Sequence, residues 1–117
     1  MTASPRPISI TILACIYIAV GIMGLIYHFH EIIALQQDSL WIALTEIVAI
    51  VCGVFMLRGQ NWARWLALAW IAAHVILSAF TSLHQFLMHS LICALIAWVL
   101  LHPTAARYFR SSEAAST

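Results

Sequence analysis

Lysine is absent from the 117 residues, and charge of either sign is scarce: only 8% of the chain is Asp, Glu, Lys or Arg. A soluble domain carries about 25% charged residues, so a chain that is 64% hydrophobic cannot clothe itself in a water-facing surface. Its solvent is read as hydrocarbon. The five basic residues are all arginine and lie scattered, at a formal net charge of +1, so no basic stripe exists to follow a phosphate backbone. Nucleic acid is excluded as a partner. The three cysteines, Cys15, Cys52 and Cys93, stand singly in apolar runs without CxxC spacing, which removes a disulfide framework and dithiol chemistry and leaves small buried hydrophobes. HExxH and GxSxG are missing too, and no long loop offers room for a catalytic apparatus, so an enzyme is the least supported class.

What remains is a succession of apolar runs. Bounded by charge, Gly and Pro, they fall near 8–29, 40–58, 62–82 and 85–102, each close to the ~20 residues that cross a ~30 Å hydrocarbon core. The weakest boundary is TSLHQ, yet an unbroken helix from Asn61 to His102 would run about 60 Å, so a turn near Ser82 to His84 is required. These runs predict an all-α integral membrane protein, a single antiparallel four-helix transmembrane bundle over 1–104 with a short polar tail over 105–117, frayed beyond the stop at Pro103. No internal repeat is evident. No small-residue cleavage pattern follows the first apolar run, which reads as a retained anchor.

Arg6, Arg58, Arg64, Arg107 and Arg110 all fall on one side of this layout, whereas the first connection carries Glu31 and Asp38 without a basic residue. The positive-inside rule then places the N and C termini in the cytoplasm, and the Arg-only usage suggests a GC-rich bacterial source and an inner membrane. Gly59 is expected to end a helix in the left-handed conformation and Asn61 to cap the next. Arg58, Trp62, Arg64 and Trp65 read as interfacial anchors, with Trp41 at the opposite face.

Polar groups inside the runs are few. Counting 1.5 Å per residue, Glu46 lies ~18 Å from the Arg58 level, His74 ~15 Å from the Arg64 level, His89 ~20 Å from Pro103 and Tyr17 ~16 Å beyond Arg6. One polar side chain per helix thus reaches the middle of the bilayer. Helical spacing puts Tyr17 with Ala14, Gly21, Gly24, His28 and Glu31, and Glu46 with Ala43, Ala49 and Gly53. Ala67, His74, Ser78 and Thr81 form a third such face, and Gln85, His89, Cys93 and Ala97 a fourth. Small and polar faces of this kind are what membrane helices pack together. An unpaired charge at mid-bilayer would cost roughly 2.5–3.5 kcal/mol, so Glu46 is expected to share a proton or hydrogen bond with His74, His89 or Tyr17. Toward the outer end, His28, Glu31 and His84 are candidate ligands, while His30 points away from His28 and Glu31, and His102 marks a helix terminus.

Three functions compete. The first is a ligand- or ion-binding or accessory membrane subunit with a polar Glu/His centre, acting alone, as a homo-oligomer or in a larger complex. The second is a proton-coupled transporter or channel using Glu46; in size and span number the chain resembles small multidrug exporters, although their essential glutamate sits in the first helix, where this chain has none. A sharper form of the first is a haem or other tetrapyrrole bound through His74 with His89 or His28; the third is an intramembrane enzyme, an outer-face metal hydrolase or a quinone-reducing protein, with a divalent metal held by nonadjacent histidines and Glu46.

Overall fold

Apolar side chains offer backbone amides no partners, and a chain this apolar satisfies them within each segment by coiling. The computed structural model describes residues 5–116. Among them it contains no strand and six helices: α1 (Ile8–Tyr27), α2 (Phe29–Ile33), α3 (Gln37–Leu57), α4 (Asn61–Ala79), α5 (Leu83–Leu101) and α6 (Pro103–Ser116). Helices α1, α3, α4 and α5 run 19 to 21 residues each and are long and apolar enough to cross a bilayer.

The turns have local causes. Helix α3 ends at Gly59, whose φ of +76° suits glycine, and the Gly59 and Gln60 N–H groups donate to the Met56 and Phe55 carbonyls. Ser82 caps α5, its hydroxyl accepting the Gln85 N–H at 3.1 Å. At the other sites the expectations need correction. Gln60, not Asn61, precedes α4, and the Asn61 side-chain oxygen is buried without a hydrogen-bond partner among the described residues. The first connection contains a helix of its own, α2, with α3 starting at Gln37. Pro103 does not leave a frayed tail: it opens α6, as proline at a first helical position does.

Packing is uneven. Helix α1 lies along α3, α3 along α4 and α4 along α5, whereas α1 and α5 barely touch. Nearly all of the close-packed interior sits toward the α6 end, in Ile10, Leu13, Ala14, Tyr17, Ala49, Cys52, Met56, Ala67, Ile71 and Leu100. Toward the α2 end the buried residues thin out to Ser39, Ala43 and Ser78.

Helix α6 closes the packed end. It leaves α5 at an extended His102, packs on α4 and α5, and reaches Gly59, against which Ser112 lies so closely that no side chain would fit. The Tyr108 hydroxyl donates to the Leu57 and Met56 carbonyls at 3.0 and 3.2 Å, and Arg6 Nη1 donates to Leu57 O at 3.0 Å. These contacts satisfy the Leu57 carbonyl that the end of α3 leaves open, and add a second donor to that of Met56. Burial holds the Tyr108 phenol above its usual range, and the neighbouring Arg6 charge and hydrogen bond partly offset this.

Arg64 differs from Arg58, Trp62 and Trp65 in its burial. It is 7% exposed, donates to Leu100 O at 3.4 Å at the end of α5, and lies over the rings of Trp65 and Phe109. A cation there complements the negative end of α5 and is roofed by α6. Arg58, Trp62 and Trp65 are exposed.

Candidate functional site

The site is built on the α1–α3 interface, where glycine lets two backbones approach. A Cβ at Gly21 would overlap the Glu46 carbonyl and Ile50, and a Cβ at Gly53 would overlap the Ala14 carbonyl and Ile18. The two contacts are equivalent: Ala14, Ile18 and Gly21 on α1 have the spacing of Glu46, Ile50 and Gly53 on α3. The antiparallel pair therefore has a local two-fold relation. Under that exchange Glu46 corresponds to Ala14, and Gly24 to the buried Met56.

That asymmetry seats the carboxylate. The Glu46 carboxyl occupies the space that a side chain at Gly24 would fill, and its Oε2 is buried with no hydrogen-bond partner among the described residues. His74 and His28 are the imidazoles close enough to interact electrostatically with it. The expected hydrogen bond from Glu46 to Tyr17, His74 or His89 does not form. Tyr17, 3% exposed, donates instead to Ala67 O at 2.8 Å and packs its ring on Trp70 at 5.3 Å.

Helices α4 and α5 bring the two imidazoles together. The His74 Nδ1 pairs with Trp70 O at 2.8 Å, one turn back on its own helix, and its ring lies 4.0 Å from that of Trp70. An acceptor at Nδ1 makes that nitrogen the protonated one and leaves Nε2 as a free acceptor in the neutral ring. The His89 ring lies 6.2 Å from the His74 ring, with its own Nδ1 buried and without a hydrogen-bond partner among the described residues. Trp70 Nε1 donates to Thr45 O at 2.9 Å, which fixes this pair beside the α3 turn that carries Glu46. Glu46, His74 and His89 are all half-buried, unlike Tyr17 below them.

Of the outer candidates, Glu31 and His84 lie apart from this group, whereas His28 stands between it and Glu31. His28 Nδ1 and Glu31 Oε2 pair at 2.9 Å across one turn, on a surface where Glu31 is exposed. His84 is exposed at the start of α5, as is His30 on α2, where its ring contacts Phe29. Among the described residues no three His, Cys, Asp or Glu side chains converge as metal ligands. His74 and His89 project from helices packed on each other, with their ring centroids 6.2 Å apart.

Sequence spacing placed Tyr17, Glu46, His74 and His89 on inward faces but did not find Gly24 or Trp70 as their seats. The repeated spacing of Ala14-Ile18-Gly21 and Glu46-Ile50-Gly53 is the signal that leads to Gly24. No family model, curated protein or solved structure matches this chain.

Proposed function

We propose that this protein is a multi-pass bacterial inner-membrane protein with cytoplasmic termini, and that it binds a proton or a small cationic ligand at Glu46, with His74 and His89 as the second wall of the site. The observation that carries this reading is the seated, unpaired carboxylate oxygen of Glu46. A buried acceptor without a donor is costly, by about 1–3 kcal/mol, and is relieved by a proton or by a ligand that donates. An intramembrane acid facing imidazoles is the usual equipment of such sites.

The distribution of packing supports binding over conduction through one copy. Below Glu46 the path toward α6 is filled by Tyr17, Ala49, Cys52, Ala67 and Ile71, while above it the chain is loosely packed. Access from the α2 end suffices for a binding site, and a conduit needs a second opening. The all-arginine end, with Arg6, Arg58, Arg64, Arg107 and Arg110, supports the orientation.

Infrared difference spectroscopy on reconstituted protein tests the site. The carboxylic C=O band of Glu46 should respond to bulk pH somewhere between about pH 4 and 10, shift on addition of a ligand amine, and vanish in Glu46→Gln. A carboxyl silent to both proton and amine would refute the proposal.

A further inference from the structure

The sparse contact between α1 and α5 leaves a groove of about 470 Å³ whose lining does not include Glu46. Ile12, Leu13 and Ile16 of α1 form one wall, and Ile92, Leu95 and Ile96 of α5 the other. The floor is core, since Leu13 and Ile96 are each 7% exposed, and the lips are Ile12 and Leu95 at 56% and 58%. At its α6 end the groove continues, through the shared residues Ser9 and Val99, into a smaller recess of about 200 Å³ bordered by His102 and Thr104.

Chemistry changes along this path. Nothing but aliphatic side chains lines the groove beyond Ser9, over a length of ~10 Å from Ser9 to Ile16, most of the ~15 Å depth of one leaflet. The recess is still largely apolar, with Trp98, Val99 and Ala105 in its lining, but it adds the polar side chains of His102 and Thr104 to that of Ser9. His102 Nδ1 accepts the Thr104 N–H at 3.3 Å, so Nε2 carries the proton and is a donor, and the Trp98 ring edge holds the imidazole at 5.5 Å. Arg107, exposed, follows Thr104 by one turn on the same face of α6. Neither wall carries a carboxylate. An aliphatic channel at membrane depth that ends in hydrogen-bond donors, with an exposed guanidinium one turn further along α6, has the polarity sequence of a phospholipid read from tail to phosphate.

We propose that the α1–α5 groove is a specific phospholipid site, with one acyl chain between Ile16 and Leu95 and an anionic headgroup on Ser9, His102, Thr104 and Arg107. The site rests on the membrane reading above and is independent of Glu46. A phosphate there accepts from His102 Nε2 and the Arg107 guanidinium, contacts that a zwitterionic headgroup satisfies at the cost of placing its own cation beside Arg107.

Native mass spectrometry of detergent-solubilised protein with phosphatidylglycerol or phosphatidylethanolamine of matched chains tests it. One phosphatidylglycerol per chain should be retained about fivefold more tightly than phosphatidylethanolamine. The double variant His102→Gln/Arg107→Gln should abolish that preference, and Leu95→Trp, which fills the groove from its exposed lip, should lower retention of both lipids. Photoactivatable phosphatidylglycerol on the unmodified protein gives a measurement free of folding effects, with adducts expected on the 9–16 and 92–99 segments. Uniform labelling of all four long helices, equal retention of both lipids, or a Leu95→Trp change in oligomeric state without lipid loss would each overturn the site. Release of the protein from membranes by alkaline carbonate would instead overturn the membrane reading itself.

Discussion

At Gly21 and Gly24 the same substitution meets two different obstacles. A methyl group at Gly21 runs into the Glu46 main-chain carbonyl, which cannot move without separating α1 from α3, whereas at Gly24 it meets only the mobile end of the Glu46 side chain. Gly21→Ala should therefore destabilise the protein by about 1–3 kcal/mol, as overpacking does. Gly24→Ala should leave melting in detergent nearly unchanged while displacing the carboxyl and altering its infrared band. Equal melting losses for the two variants would show that the interface does not close on glycine as described. Inward faces were legible from spacing at Tyr17, Glu46 and His74 because the helical period sets the direction of each Cβ. Their partners were not, because pairing depends on the axial offset between helices, and the Gly21 and Gly53 contacts set that offset. Tyr17 consequently reaches Ala67 O rather than Glu46.

Among the elements, the long helices were legible and α6 was not. Hydropathy over ~20 residues is a summed signal that tolerates errors of two or three residues at each end, which is the size of the differences at Gln37 and Ala79. Residues 103–116 have no such sum, and their order comes from Tyr108 and Phe109 docking on a surface that exists only once α3, α4 and α5 are assembled. The buried Arg64 is illegible for the same reason, since its roof is Phe109. Docking of α6 should depend on pH. Because the folded chain holds the Tyr108 phenol protonated beyond its ordinary pKa of about 10, this contribution is complete below that value and is lost as pH rises through the higher folded one. Trypsin should accordingly cut after Arg107 and Arg110 faster as the medium becomes strongly alkaline. Tyr108→Phe should raise the neutral-pH cleavage rate through loss of about 1 kcal/mol of hydrogen bonding and flatten its pH dependence. Cleavage of Tyr108→Phe at the unmodified rate would mean that the two carbonyl contacts do not hold α6.

For the whole molecule, the consequence of placing the packed interior at one end is directional access. A side chain at the level of His74 borders loosely packed space that opens toward α2, and one at the level of Ala67 lies in the close-packed half, where Ala67 itself is wholly buried. With Cys15, Cys52 and Cys93 replaced by alanine, His74→Cys should react with a membrane-impermeant thiol reagent supplied from the α2 side and resist the same reagent from the α6 side. Ala67→Cys should resist it from both. Sealed and inside-out vesicles provide the two exposures, and trypsin sensitivity of α6 in the same vesicles independently reports which end faces the reagent. If His74→Cys reacts equally from either side, the core beneath Glu46 is not a seal, and the balance moves from a one-sided binding site to a proton-coupled pathway. If it reacts from the α2 side alone, any movement of protons or ligand across the membrane requires a second conformation that breaks the Tyr17 to Ala67 contact. Tyr17→Phe then becomes the variant that should open the other side.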